Sequence, residues 1–134
     1  MTEQSAESLK SKGGIARIFK AAGYSLQGLT HAVRFEAAFR QELLIAVPAA
    51  IGVWFVPVTR VEKIVLLGSA LLLLITELLN SAIEATVDRI STERHPLAGR
   101  AKDLGSAAVL LAFIFMTLAW AVLAGPAIYS AITR

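Results

Sequence analysis

The sequence predicts an all-α integral membrane protein: an amphipathic surface helix followed by three transmembrane helices within one domain. Three observations point there. Hydrophobic residues make up 56% of the 134-residue chain against 17% charged, and the mean hydropathy is +0.65, too apolar for an ordinary small soluble domain. Three apolar runs approach or exceed the roughly 20 residues that a bilayer requires. Lysine and arginine collect in short patches between those runs, so the net charge of +3 forms no continuous basic surface of the kind a nucleic-acid binder needs. Membrane headgroups are the expected anionic partner. Cysteine is absent, which removes disulfides, thiolate metal ligands and a cysteine nucleophile.

Residues 1–14 are polar, end in Gly13-Gly14 and are expected to form a flexible tail. No signal peptide is expected, because no small-residue cleavage pattern follows a short hydrophobic core. The single domain then occupies residues 15–134. Over 15–35, Ile15, Ile18, Phe19, Ala22, Leu26, Leu29 and Val33 recur at helical spacing opposite Arg17, Lys20, Tyr24, Gln27, His31 and Arg34, the pattern of a helix lying in the membrane interface. The first span is expected over about 36–58. Its apolar part is short for a bilayer, so its lower turns should carry Glu36, Arg40 and Glu42 near the interface, with Pro48 as a candidate kink and Trp54 and Pro57 at the far end. Thr59 to Lys63 reads as a tight polar turn, with a second span over 64–90, a loop over Ser91 to Pro96, and a third span over 99–128.

Orientation follows from the cations. Lys10, Lys12, Arg17, Lys20, Arg34 and Arg40 precede the first span, and Arg89, Arg94, Arg100 and Lys102 flank the loop between the second and third, whereas the opposite side holds Arg60, Lys63 and Arg134. The positive-inside rule puts the N-terminus in the cytoplasm. A chain this short has little room to enclose a site alone, which favours an oligomer.

The second span holds the candidate chemistry. Glu77, Asn80, Glu84 and Asp88 are spaced i, i+3, i+7 and i+11, within an arc of about 80° at about 100° per residue. Charged groups at membrane depth are costly and normally face a bundle interior or a wet cavity. Glu77, among Leu74, Ile75, Leu78 and Leu79, should be desolvated, which suits a general base, whereas Asp88 is expected to emerge into solvent. Glu77 and Glu84 lie about 10 Å apart along the helix axis, too far for one ion. A hard cation at Glu84 would need oxygens from elsewhere, and Glu36 or Glu42 is available, although Glu36 also stands i, i+4 before Arg40 and could simply pair with it. There is no GxxxxGK[ST] loop, GxGxxG, HExxH or GxSxG. His31 and His95 read as surface or capping residues, and Ser106 as a small helix-contact residue. The residues alone give a carboxylate-lined site at the cytoplasmic interface and leave the reaction open.

Four segments, RIFKAAGYS (Arg17 to Ser25), EAAFRQE (Glu36 to Glu42), ELLNSAIEATVDRI (Glu77 to Ile90) and GRAKDLGSAAV (Gly99 to Val109), resemble the small bacterial integral-membrane diacylglycerol kinase family in order along the chain. The resemblance implies a homotrimer of three-span subunits in the bacterial cytoplasmic (inner) membrane, phosphorylating diacylglycerol with ATP and Mg²⁺. It implies that Glu77 is the base at the lipid hydroxyl, that Glu36 and Glu84 hold the metal and ATP phosphates, and that Asn80 supports them beside Arg40 and Glu42. It implies that Arg17, Tyr24, Glu93, Arg94, His95, Lys102 and Asp103 contact the nucleotide, and that Ser106 lies near the lipid. The chain departs from the familiar pattern at Phe35 and at Leu26-Gln27, outside that set. Two competing readings remain at this point: an undecaprenol kinase of the same fold, and a non-enzymatic channel or scaffold whose pore the Glu77 stripe would line.

Overall fold

The computed structural model describes residues 14–90, 93 and 95–134. The expected tail falls almost wholly outside these residues, as does Arg94. Every regular element among the described residues is helical. Helix α1 spans Gly14–Phe35, α2 Ala37–Gly52, α3 Arg60–Ile90 and α4 Pro96–Ala119, which runs through a π-helical turn at Trp120–Ala124 into α5, Gly125–Ile132.

Helix α1 is a compact unit by itself. Its apolar positions Ile15, Ile18, Phe19 and Leu26 are exposed, as an interfacial helix requires. His31 and Phe35, one turn apart, pack as tilted rings with centroids 4.8 Å apart and planes at 43°.

The second unit, Glu36–Arg134, is a bundle of α2, α3 and α4–α5. Its core has two layers. One joins Ala46 of α2, Ala70 and Leu73 of α3, and Ala112 and Met116 of α4. The other joins Val53, Val56, Leu66, Ala119 and Ala124, and Trp120 packs against both. Half of these ten positions are alanine, which lets the backbones approach closely, the favoured arrangement where apolar surface drives no association. Hydroxyls on these apolar helices are satisfied by the preceding turn: Ser69 Oγ donates to the Leu66 carbonyl (2.7 Å) and Thr76 Oγ1 to that of Leu72 (2.7 Å), a local bond that hides a polar group from lipid.

Two helices, Arg60–Ile90 and Pro96–Ile132, are long and apolar enough to cross a membrane, with only 33% and 17% of their most apolar stretches buried. A core helix of a soluble protein would be mostly covered. Helix α2, with 16 residues, is shorter than the expected 36–58 span. It ends at Gly52 because Val53 and Val56 turn inward into the core, the chain tightening through bonds from Trp54 N–H to the Ile51 carbonyl (3.3 Å) and Phe55 N–H to that of Gly52 (2.9 Å). Pro57 then disfavours helix at Val56. Pro48 sits inside α2 without ending it.

The second span starts four residues earlier than expected, at Arg60, because Thr59-Arg60-Val61-Glu62 is a capping box rather than a polar turn. Thr59 N–H donates to Glu62 Oε2 (2.7 Å) and Glu62 N–H to Thr59 Oγ1 (3.3 Å), satisfying orphan donors at the helix start. The third span likewise begins at Pro96 instead of Gly99. His95 Nδ1 accepts from Leu97 N–H (3.2 Å) and Pro occupies the first helical turn, where its missing N–H costs nothing. At the other end the helix reaches Ile132. Pro126 has no N–H for the Val122 carbonyl, and the π turn just before it absorbs the misfit.

The capping box yields a test: Thr59→Ala should lower the thermal unfolding midpoint of the purified protein by a few degrees. Adding Glu62→Ala should lower it little further, because the two groups act as one reciprocal pair; fully additive shifts would show that they stabilise the helix separately.

Candidate functional site

The buried positions of α3 are Leu66, Ser69, Ala70, Leu73, Glu77 and Asn80. At about 100° per residue all six fall on one face about 100° wide. The polar stripe is therefore the continuation of the core stripe, and the helix period carries Glu84 and Asp88 onto the same face. Glu77 is 5% exposed and Asn80 9%, so neither carboxylate nor amide faces lipid or open solvent. Helix α3 is about 45 Å long at 1.5 Å per residue, longer than a hydrocarbon core of about 30 Å. Its last turns, which hold Glu84 and Asp88, can stand at the boundary.

The carboxylates of Glu36, Glu42 and Glu84 lie within electrostatic reach of Glu77. Glu36 and Glu84 both lie near enough to repel its charge, and Glu42 and Glu77 repel each other in the same way. Glu36 is the N-cap of α2, with extended backbone (φ −93°, ψ 108°), and its carboxylate does not cap the helix, which leaves it available to a ligand. Glu42 shares the buried face of α2 with Phe39 and Ala46, whereas Arg40 is exposed on another side. Asn80 Nδ2 donates to Glu84 Oε1 at 3.2 Å, a charge-assisted bond that fixes one carboxylate oxygen. Among the described residues, the buried polar side-chain atoms without a hydrogen-bond partner are Glu42 Oε2, Asn80 Oδ1 and Trp120 Nε1. Two of these belong to the carboxylate cluster.

No three His, Cys, Asp or Glu side chains among the described residues converge as a cation cage. The chain can offer one or two carboxylates, and other oxygens must complete the shell. That fits magnesium better than calcium, because Mg²⁺ is usually held by one or two carboxylates together with substrate phosphates and water.

The other predicted residues divide by position. Asp88 is exposed, as expected, and its Oδ1 lies 2.6 Å from Lys102 Nζ on α4. Asp88 stands about three helical turns beyond Glu77 on the stripe, and its pairing across to α4 is not legible in the spacing of either helix. Beside it, a cleft of about 410 Å³ at the α3–α4 turn is lined by Val87, Ile90, Glu93, His95, Leu97, Ala98 and Ala101. Glu93 and His95 thus share one cavity, with Lys102 next along the chain from its wall, whereas Asp103 is exposed. Ser106 is also exposed, one residue beyond Gly105 on the packed face of α4. Arg17 and Tyr24 are exposed on α1. The residue that sequence reasoning missed is Gly105, which is buried against Asn80.

Together these features define a small helical membrane protein built around a buried carboxylate site at one end of its bundle. Residues 23–124 match the family described as prokaryotic diacylglycerol kinase. The chain belongs to that family, a family of lipid kinases. It is 50% identical over 110 residues to the diacylglycerol kinase of Escherichia coli (strain K12), covering 82% of this chain and 90% of that one. It is 51% identical over 112 residues to the diacylglycerol kinase of Pseudomonas aeruginosa, with 84% and 91% covered. The diacylglycerol kinase of Helicobacter pylori (strain 26695) is 42% identical over 107 residues, with 80% and 84% covered.

The Asp88–Lys102 pair gives a prediction. The side chains are 66% and 38% exposed, so solvent screens the pair and it should hold little of the fold. Asp88→Asn should leave the unfolding midpoint unmoved and act on nucleotide use alone, read as a changed KM for ATP at unchanged kcat; a large drop in midpoint would make the pair structural.

Proposed function

We propose that this chain transfers the γ-phosphoryl group of ATP to the primary hydroxyl of diacylglycerol, giving phosphatidate and ADP at the cytoplasmic face of the bacterial inner membrane. The observation that carries this reading is the placement of Glu77, a carboxylate buried on the core face of a bilayer-length helix, within a family of lipid kinases. The substrate is named from the diacylglycerol kinases it resembles.

A lipid hydroxyl is a poor nucleophile, so a positioned base near the membrane boundary is the expected device. Glu77 takes the hydroxyl proton as the oxygen bonds to the γ-phosphorus and the bond to the β-phosphate oxygen breaks. Glu36 and Glu84 would hold Mg²⁺. Bound there with ATP, the ion would neutralise charge on the phosphate oxygens, where phosphoryl transfer needs positioning and charge compensation more than covalent chemistry. Asn80 fixes Glu84. The cleft at the α3–α4 turn, mostly apolar with Glu93 and His95 on its wall, suits a nucleotide base, and Lys102 beside it suits phosphate. Arg94, Asp103, and Arg17 and Tyr24 of α1 complete the proposed nucleotide set, and Ser106 the lipid set.

The rest of the reading concerns arrangement. The chain crosses the bilayer three times, α2 being extended to the required depth by the turn at Val53 to Val58. Its N-terminus is cytoplasmic, on the distribution of lysine and arginine. It works as a homotrimer, as the family resemblance implies. The sparse burial of α3 and α4–α5 supports this, because a lone subunit leaves most of these faces uncovered.

The deciding experiment is phosphotransfer from ATP by the purified protein, with dioleoylglycerol or undecaprenol as acceptor. Dioleoylglycerol should be phosphorylated; preference for undecaprenol would move the substrate to the isoprenoid alcohols, and ion flux without ATP turnover would remove the kinase reading. In the same assay Glu77→Gln should lower kcat by about 10²–10⁴-fold with ATP binding intact. Near wild-type phosphatidate formation by folded Glu77→Gln would end the base assignment. Glu36→Gln and Glu84→Gln should each raise the magnesium concentration needed for half-maximal activity, since each removes a charged oxygen from a hard cation. An unchanged magnesium requirement would return that residue to an ion-pair or solvated role.

A further inference from the structure

Among the described glycines, Gly105 alone is seated where an added Cβ forces a neighbour to shift. A Cβ built there would collide with Asn80 Oδ1 and stand 3.3 Å from Asn80 Cγ, while the other described glycines meet open space or, at Gly125, an ordinary contact. The neighbour is the buried amide whose other end donates to Glu84 Oε1. An amide is planar and rigid, so displacing Oδ1 swings Nδ2 with it. Asn80 is 9% exposed, so its amide can yield only within the packed seam between α3 and α4.

We propose that Gly105 is a positioning residue for the cation site: the missing side chain on α4 lets the Asn80 amide lie where its nitrogen holds the Glu84 carboxylate. This rests on the reading of Glu84 as a metal-holding carboxylate. Gly105 touches neither nucleotide nor lipid in this scheme and acts only through Asn80. The competing explanation is that a small residue is needed there merely for close helix packing. That would cost stability without affecting the cation.

The two are separated by direct cation binding to the full-length protein in lipid nanodiscs, measured by electron paramagnetic resonance titration of Mn²⁺ in the presence of a non-hydrolysable ATP analogue. A hydrogen bond to a charged group is lost in Asn80→Ala, which should weaken Mn²⁺ binding about ten-fold or more. Gly105→Ala should weaken it to a similar degree. The double variant should bind no more weakly than Asn80→Ala alone, since the added methyl then has no amide to displace, and it should recover the unfolding midpoint lost in Gly105→Ala. If Gly105→Ala alone does not assemble, assembly of the double variant with the affinity of Asn80→Ala carries the same conclusion.

Wild-type Mn²⁺ affinity in folded Gly105→Ala overturns the proposal. So do losses that multiply in the double variant, or a double variant that fails to assemble where Asn80→Ala succeeds. Glu84→Gln is the control: unchanged Mn²⁺ binding in that variant removes the cation reading itself, whereas weakened binding there beside unchanged binding in Gly105→Ala removes the Gly105 proposal alone.

Discussion

The structure depends on one constraint: on α3, the groups that pack the bundle and the groups that carry charge must share a single face. A helix has one side turned to its neighbours, and a carboxylate turned to lipid would cost several kcal/mol. The stripe from Leu66 to Asn80 satisfies both demands by dividing the face along its length. Leu66, Ser69, Ala70 and Leu73 fill the core layers, and the chemistry begins one turn later at Glu77. The packed part holds the backbone rigid. The polar part inherits that rigidity, which a site made of long, flexible carboxylates otherwise lacks.

The approach of α4 is set by the same logic. Gly105, Ala112 and Ala119 all lie on its buried side, so the helix axes come close and Asn80 is enclosed. Close approach in the apolar layers is a matter of packing. At the polar end it decides where an amide points, and through that amide where Glu84 points. The ion pair between Lys102 and Asp88 lies further along the same seam, beside the cleft at the α3–α4 turn. Core, carboxylates, ion pair and cleft thus follow one another along the contact between two helices.

The helix ends show how closely local chemistry specifies length. The Thr59–Glu62 pair, the His95 cap with Pro96, and Pro126 after the π turn each replace or avoid a backbone hydrogen bond that lipid could not supply. At about 45 Å, α3 is longer than a hydrocarbon core of about 30 Å, so its last turns can bring Glu84 and Asp88 towards water. That placement is what a site needs if it is to meet a soluble phosphate donor and a lipid alcohol together.

By itself the sequence determined the helical membrane class, the amphipathic first helix and the stripe of Glu77, Asn80, Glu84 and Asp88, because composition and periodicity are written along a single chain; the family came from the resemblance of four segments. It also held the Thr59-x-x-Glu62 capping signal, which the polar composition of that segment obscured. Only the tertiary structure decided that Glu42 rather than Arg40 faces inward, that Asp88 meets Lys102, and that Asn80 is closed over by Gly105. Each of these is a relation between residues on different helices or a choice between adjacent faces. Such relations depend on how far one helix slides and rotates against another, and side-chain volume across the whole seam sets that, not the spacing within either helix.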